Sequence, residues 1–144
     1  MRKQAAAIGS LTLSLCASPV LAAPVPTEYE LRLACSYGKP SVVACLERKA
    51  ANTSIELRHA ENAVRTQLRN VDDWPRFVAL ARRRFVESQR AYLRYRAVRC
   101  EFFGSLVGAA AGSGAKVMRP ACVATLNATR ARELRAAAKF LAGK

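Results

Sequence analysis

Apolar residues recur every three or four positions along most of this 144-residue chain, whereas the alternating β-branched runs typical of strands are nearly absent. Steps of three and four keep side chains on one face of an α-helix. The clearest stripe of this kind belongs to a long helix that ends near Asn70. It consists of Val42, Cys45, Leu46, Thr53, Leu57, Ala60, Val64 and Leu68. The spacing therefore predicts an all-α fold.

Two start signals mark the first helices. Thr27 and Glu30 are spaced as a capping box, in which each side chain accepts a hydrogen bond from the backbone of the other residue. This box predicts a short helix to about Cys35. Residues 37–40 are typical of a turn, because they contain Gly and Pro. Ser41 is then a favourable N-cap for the long second helix.

The third helix is predicted to be capped by Asp72 and Asp73, with Pro75 in its first turn and its end near Phe102. Its inward stripe is predicted to be Trp74, Val78, Ala81, Phe85, Ser88, Tyr92 and Tyr95. The small residues of segment 104–114 predict a loop.

The last helix is predicted to start at Pro120 and to end at Gly143. Its inward residues are predicted to be Val123, Leu126, Leu134, Ala137 and Leu141. Short connections favour antiparallel neighbours. The chain is therefore predicted to form a small antiparallel helical bundle.

Residues 1–22 have the pattern of a secretory signal peptide. Arg2 and Lys3 precede an apolar stretch over residues 5–15, and small residues follow at a cleavage site. A membrane anchor needs about 20 strongly apolar residues, and this stretch is shorter and interrupted. We therefore expect residues 23–144 to be a single helical domain, periplasmic or secreted, with no membrane span after signal cleavage.

Four cysteines remain once Cys16 leaves with the signal: Cys35, Cys45, Cys100 and Cys122. An even number in an exported protein implies disulfides. Three pairings are open, and the neighbouring pairs, Cys35 with Cys45 and Cys100 with Cys122, are favoured because each closes a short loop. A four-cysteine zinc site usually contains C-x-x-C pairs, which this spacing lacks. Two disulfides are therefore expected to staple the bundle.

Lys and Arg total 24 against ten acidic residues, giving a formal net charge of +14. Residues 23–144 keep 22 of these basic residues and all ten acids, a net charge of +12, and the whole of this excess lies in residues 74–144. The predicted third helix contributes Arg82, Arg83, Arg84, Arg90, Arg94 and Arg99 to it. Such residues either solvate the outer faces or form a surface for anionic envelope components. No nucleic acid is expected as a partner, because the chain is predicted to be exported and no base-stacking array or known binding motif occurs.

Residues suited to catalysis are scarce. The single histidine, His59, lies in the middle of a predicted helix with no cue for an activated nucleophile. Asp72 and Asp73 are interpreted as a helix cap rather than as the paired carboxylates of a hydrolase. The glycines of segment 104–114 lack the Lys-Ser/Thr of a phosphate-binding loop. We therefore expect no enzyme activity, no cofactor and no metal site.

One set of spaced residues is specific to a family. It comprises Gln89, Tyr92, Tyr95-Arg96 and Cys100, then Gly112-Ser113, Cys122, Leu126, Arg130 and Glu133-Leu134. This order resembles the N-terminal domain family of LprI-type lysozyme inhibitors, which are small exported bacterial proteins. The upstream pair, Cys35 and Cys45, also resembles the first cysteine pair of the family. The resemblance covers about residues 35–134.

The chain departs from the family pattern at three positions. Tyr92 stands where the family usually has Trp, Ala97 where an acid typically follows the Arg, and Asn127 where Thr is common. The change at Ala97 removes a local charge partner for Arg96 or Arg99.

The signature residues also have a physical interpretation. Gln89, Tyr92 and Arg96 share one helical face, and Arg130 with Glu133 forms an i,i+3 pair. If the predicted disulfide brings the third and last helices together, Arg96 is expected to meet Glu133 across the contact between them, which we call the seam. We interpret the cluster, together with Tyr95, as structural rather than as a ligand site.

The resemblance implies an exported inhibitor that binds lysozyme through protein–protein contact. A cationic lysozyme would be repelled by so basic a chain at long range. Local acidic contacts are therefore predicted in the neutral first half, at Glu47, Glu56, Glu61, Asp72 and Asp73. Two alternatives stay open: a periplasmic structural or assembly protein, and a basic envelope protein that binds an anionic polymer or lipid.

Overall fold

The computed structural model describes residues 24–37, 41–106 and 114–143. These residues form four helices, namely α1 (Glu28–Ser36), α2 (Val42–Asn70), α3 (Pro75–Ser105) and α4 (Gly114–Ala142). No strand occurs in the three described ranges, so the all-α prediction is confirmed. The predicted signal peptide (1–22), part of the predicted turn (38–40) and the middle of the predicted loop (107–113) lie outside the described residues.

Consecutive long helices are antiparallel, as predicted, which makes α2 and α4 parallel to each other. Near the start of both helices, Leu46 packs in one cluster with Ala124. Near their ends, Leu68 packs with Ala138. The α3 helix runs in the opposite direction, as the bond from Cys100 near its end to Cys122 near the beginning of α4 shows. The short α1 packs against the first halves of α2 and α4.

The caps of the first two helices agree with the sequence signals. The Thr27 backbone N–H donates to the Glu30 carboxylate at 2.7 Å, and the Glu30 N–H donates to the Thr27 hydroxyl at 3.2 Å. The backbone hydrogen bond from Thr27, and then the one from its hydroxyl, lower the pKa of Glu30. Ser41 caps α2 by accepting from the Ala44 N–H at 3.2 Å. Both predicted start points are confirmed.

The start of α3 differs from the predicted one by a residue or two. Trp74 is the N-cap, and its side chain makes no capping hydrogen bond. Asp73 instead accepts from the Trp74 backbone N–H at 2.7 Å, just before the helix. Pro75 is the first helical residue and so lies in the first turn, as predicted. The end of α3 at Ser105 lies beyond the predicted Phe102, so part of the predicted loop is helical.

The start of α4 was predicted wrongly. The helix begins at Gly114, and Pro120 lies inside it rather than at its start. The turns before Pro120 have tertiary partners: Val117 packs against the cluster formed with α1 and α2, and Arg119 pairs with Glu101 of α3 at 2.9 Å. These contacts stabilise the helical turns before Pro120, which a start signal based on proline does not reveal.

The core consists of two apolar clusters at successive levels of the α2–α4 pair. The first contains Leu31, Cys35, Cys45, Leu46, Ala121 and Ala124. The second contains Leu57, Ala60, Val64, Leu68, Ala131, Leu134 and Ala138. Six of the eight residues in the predicted α2 stripe are buried, and Val42 and Thr53 are half-buried. The α2 stripe was therefore predicted well.

The inward face of α4 was only partly predicted. Of the five residues expected to point inward, Leu134 is buried, three are half-buried and Ala137 is exposed. The buried face consists mainly of small residues, namely Ala121, Cys122, Ala124, Asn127, Ala131, Leu134 and Ala138. Because α4 contacts all three other helices, small side chains let the neighbouring backbones approach, and the larger ones lie at the margins.

The inward stripe of α3 was only partly predicted. Val78, Phe85 and Tyr92 are half-buried, and the last two pack against the second core cluster. Trp74 is 69% exposed and Tyr95 is 51% exposed, and Ala81 and Ser88 are also exposed. The buried residues of this 31-residue helix are Gln89 and Cys100. The helix therefore packs on α4 through a face that carries polar residues, which an apolar-stripe argument does not detect.

Both disulfides join neighbouring cysteines. Cys35 bonds Cys45 and ties α1 to α2, and Cys100 bonds Cys122 and ties the last turns of α3 to α4. Three of the four are at most 1% exposed, and Cys45 is also buried. Since structural disulfides form in oxidising compartments, they fit a location outside the cytoplasm.

Candidate functional site

A polar layer separates the two apolar clusters of the core. Asn127 of α4 is fully buried. Its Oδ1 accepts hydrogen bonds from the Tyr92 hydroxyl at 2.9 Å and from Arg96 Nη1 at 2.7 Å. Its Nδ2 donates to the Ser54 hydroxyl at 2.9 Å, which in turn donates to the Ala50 carbonyl at 2.8 Å. One side chain therefore links α2, α3 and α4.

Tyr92 is held as a hydrogen-bond donor in this layer. Burial raises the pKa of its phenol, although the Arg96 and Arg130 guanidinium groups oppose that shift. The phenol therefore keeps its proton at neutral pH, as donation to Asn127 requires. The ring lies 5.8 Å from the Arg96 guanidinium and 5.7 Å from that of Arg130.

A second polar group joins the helices one turn further along α4. Arg130 donates to the Gln89 side-chain carbonyl at 2.9 Å and also donates to the Ser88 hydroxyl. Gln89 in turn donates to the carboxylate of Glu61 on α2. Gln89 is thus a buried amide with partners on both neighbouring helices, which explains why a polar residue occupies the inner face of α3.

The predicted pairing of Arg96 with Glu133 was wrong. Arg96 donates to Asn127, and the residue that crosses from α4 to α3 is Arg130. The predicted i,i+3 pair of Arg130 with Glu133 is present at 3.1 Å, with Glu133 57% exposed. Glu133 therefore lies at the rim of the seam and not within it.

Replacing Glu133 and Gln89 separately should distinguish the rim from the seam. Glu133→Ala should change the free energy of unfolding by at most about 0.5 kcal/mol, because its ion pair is exposed. Gln89→Ala should cost about 1–3 kcal/mol, because Glu61 and Arg130 both lose a partner. Urea unfolding of the two variants beside the parent measures both values. Equal losses from the two variants would contradict the assignment of the seam to Gln89.

The five predicted acidic contact residues do not share one face. Glu47 and Glu56 are exposed but nine positions apart, so their side chains lie on opposite sides of α2. Glu61 is partly buried and bonded to Gln89 and Arg65. Asp72 and Asp73 are exposed in the α2–α3 connection. Any contact made by these acids therefore rests on individual residues rather than on a common patch.

The α3 helix exposes unusually many large apolar side chains. Seven of the fourteen large apolar side chains that are exposed in the described residues belong to α3. They are Phe77, Leu80, Val86, Leu93, Tyr95, Val98 and Phe102. Scattered exposed apolar residues are ordinary, but a concentration on one element marks an interaction surface.

A line of arginines runs along one side of α3. Arg90 follows Arg83 by seven positions and Arg94 follows it by eleven. All three therefore lie within about 20° of one line along the helix. Among the described residues, none of the three has a hydrogen-bond or ion-pair partner. The nearby carboxylate of Glu87 pairs with Arg84 instead, at 2.9 Å. We call this surface, with Leu80, Tyr95, Val98 and Phe102 beside the arginines, the α3 outer face.

The α3 outer face contains a shallow depression of about 730 Å³ between Arg90, Arg94, Tyr95, Val98 and Phe102. It lies on one helix and is open to solvent. A site for a small ligand normally encloses most of the ligand surface, which an open face of this kind does not do. The depression is therefore suited to an extended partner.

Two further observations concern the described residues only. No three or more His, Cys, Asp or Glu side chains within them are placed to hold a metal ion together. None of their helices combines the length and the apolar character that crossing a bilayer requires.

Comparison with known families adds the deciding observation. The family model described as "Lysozyme inhibitor LprI" matches residues 35–134, which is most of the chain. The chain belongs to the LprI lysozyme inhibitor family. No curated protein and no solved structure matches the chain. The LprI family is one of inhibitors and not of enzymes, so the match fits a protein without catalytic activity.

The LprI match extends from the first cysteine of the α1–α2 disulfide to Leu134 in the second core cluster. Within it, the structure brings Gln89, Tyr92, Arg96 and Arg130 together, and leaves Tyr95 on the exposed side of α3. Tyr95 nevertheless accepts a hydrogen bond from Arg99 at 2.7 Å.

The departures from the LprI pattern have structural counterparts. On either side of Ala97, Arg99 pairs with Glu28 of α1 at 3.6 Å and Arg96 donates to Asn127. The central role of Asn127 was missed in the sequence. The available signal was its spacing, because Ala124, Asn127 and Ala131 fall three and four positions apart on the small-residue face of α4.

Proposed function

We propose that this LprI-family protein is exported and inhibits a lysozyme-type enzyme by binding it, without chemistry of its own. The family match over residues 35–134 carries the proposal. The packing supports it, because the buried polar groups of the seam bond to one another and the two disulfides hold the helices together. Such a scaffold is suited to presenting a rigid surface.

We further propose that individual exposed acids of the less basic half, rather than a common acidic patch, make local contacts with a cationic lysozyme. Residues 23–144 contain 22 Lys and Arg against ten acids, and this net charge of +12 opposes the approach of such an enzyme. Glu47, Glu56 and Asp72 are exposed and lie outside α3 and α4, which carry most of the basic excess. Opposite charges at the contact offset part of the long-range repulsion.

We also propose that residues 1–22 are a signal peptide and that the mature protein is periplasmic or secreted. The paired cysteines support export, because structural disulfides are rare in the cytoplasm.

A muramidase assay tests the inhibition. The purified protein, with both disulfides formed, should reduce lysozyme activity progressively and nearly completely at molar excess. The substrate should be a soluble, uncharged oligosaccharide, because a basic protein can also shield an anionic cell wall without touching the enzyme. The reduced and alkylated protein serves as the control and should not inhibit. Undiminished activity at large excess would reject the proposal for the lysozyme used.

Charge-matched variants test the contact residues in the same assay. The triple variant E47Q/E56Q/D72N should weaken inhibition about tenfold or more, since exposed contact charges act mainly on association. The variant E87Q/E101Q/E133Q removes the same charge from α3 and α4 and should have little effect. Equal weakening by both variants would indicate net charge alone and would contradict the assignment.

A further inference from the structure

The α3 outer face requires an explanation that the proposed inhibition does not supply. The helix contributes only part of its apolar surface to the core: Phe85 and Tyr92 pack against the second core cluster, and its fully buried residues are Gln89 and Cys100. Polar bonds and a disulfide also hold it to α4. Seven other large apolar side chains of α3 are exposed, among them Val98 at 66%. We propose that the α3 outer face binds the surface of an anionic lipid bilayer.

Charge complementarity identifies the sign of the partner. Arg83, Arg90 and Arg94 form one line, with no partner among the described residues. Arginines placed at an anionic membrane surface each contribute substantially to binding. A partner that carries many negative charges in a row pairs with all three groups at once.

The apolar side chains identify the partner as an amphiphile. Leu80 and Val98 are eighteen positions apart, which is about five full turns, so they share a line about 60° from the arginines. Phe102 and Tyr95 lie beside that line. Basic residues next to aliphatic and aromatic ones are the pattern of helices that lie in a bilayer interface. A purely polar polyanion would leave this second line exposed.

The shape of the surface favours a flat partner. A helix of 31 residues is about 46 Å long, and the α3 outer face extends from Leu80 near one end to Phe102 near the other. A bilayer surface contacts the whole length, whereas protein interfaces concentrate their binding energy in a central cluster. A second copy of the chain is disfavoured, because a symmetric contact through this face brings two rows of unpaired arginines together.

Vesicle binding tests the proposal without lysozyme, so its outcome is independent of the inhibition assay. The purified protein should co-sediment with vesicles of equal parts phosphatidylglycerol and phosphatidylcholine, and much less with phosphatidylcholine alone. Binding should fall steeply with added salt. Absence of binding to the anionic vesicles would overturn the proposal.

Two variants, each with a matched control, locate the surface. R83Q/R90Q/R94Q should weaken vesicle binding about 100-fold, given the contribution of each basic residue near an anionic surface. R48Q/R58Q/R135Q removes three exposed, unpartnered arginines from α2 and α4 and should weaken it only a few-fold. Equal losses in the two variants would show that only net charge matters and would overturn the assignment to α3.

Variants in the apolar line distinguish a bilayer from other occupants of the α3 outer face. L80Q/V98Q/F102Q should weaken vesicle binding at least tenfold, whereas L33Q/Y37Q/I55Q, at exposed sites on or beside α1 and α2, should not. If the first variant binds vesicles normally and soluble polyglutamate displaces the parent, the face is a polyanion site and the proposal fails. It also fails if light scattering shows a dimer that this variant abolishes, because the face would then be occupied by a second copy.

Discussion

Replacing Asn127 with Ala should lower the free energy of unfolding by about 2–4 kcal/mol. The change leaves the Tyr92 hydroxyl, the Arg96 guanidinium and the Ser54 hydroxyl without their shared partner. Each uncompensated buried polar group costs about 1–3 kcal/mol, and more when it is charged. Since Asn127 is fully buried, water does not replace the lost bonds readily. The expected loss is a large part of the stability of a small domain.

Urea unfolding followed by circular dichroism measures this loss. Asn62→Ala is the matched control, because Asn62 also accepts a hydrogen bond from an arginine, Arg65, but on the exposed side of α2. It should change the free energy of unfolding by less than about 0.5 kcal/mol. If Asn127→Ala were as mild as this control, the polar layer would not hold the three helices in register.

Removing the α3–α4 disulfide with Cys100→Ser and Cys122→Ser should cost about 3 kcal/mol. The bond closes a loop with a sequence separation of 22, against 10 for the α1–α2 disulfide, and a longer loop restricts the unfolded chain more. The end of α3 has few buried apolar residues to replace the bond, since Cys100 is the last buried residue of that helix. We therefore expect the C-terminal turns of α3 to open first.

Hydrogen exchange and thermal unfolding under oxidising conditions check this prediction. The matched variant, Cys35→Ser with Cys45→Ser, should lose somewhat less stability and should leave the amides of α3 protected. Its own effect should appear in α1 and the start of α2. Unchanged protection of α3 in the variant without the Cys100–Cys122 bond would show that other contacts hold the end of that helix.

Local signals were enough for the first half of the fold. The capping box of Thr27 and Glu30, the cap at Ser41 and the apolar stripe of α2 each depend on residues close in the chain. The pairing of neighbouring cysteines also follows from short loops, and the structure has both bonds. The spaced residues from Gln89 to Glu133 placed the chain in the LprI family, and the family match agrees.

Local signals failed where a helix has more than one face that is able to pack. The α3 helix has apolar residues around most of its circumference, so the sequence did not reveal that Gln89 faces inward and Val98 outward. In α4 the alanines have no strong preference for either side, and contacts with three neighbouring helices select the buried ones. The α3 outer face was therefore visible only after the helices were packed.

Helix content, two caps and the cysteine pairing are consequences of interactions within about ten to twenty residues of chain, which the order of residues already specifies. The rotation of α3 and α4, the role of Asn127 and the surface left uncovered depend on which groups meet across the bundle. A buried amide such as Asn127 is stable only when partners from other helices reach it, so no single segment contains the information that places it there.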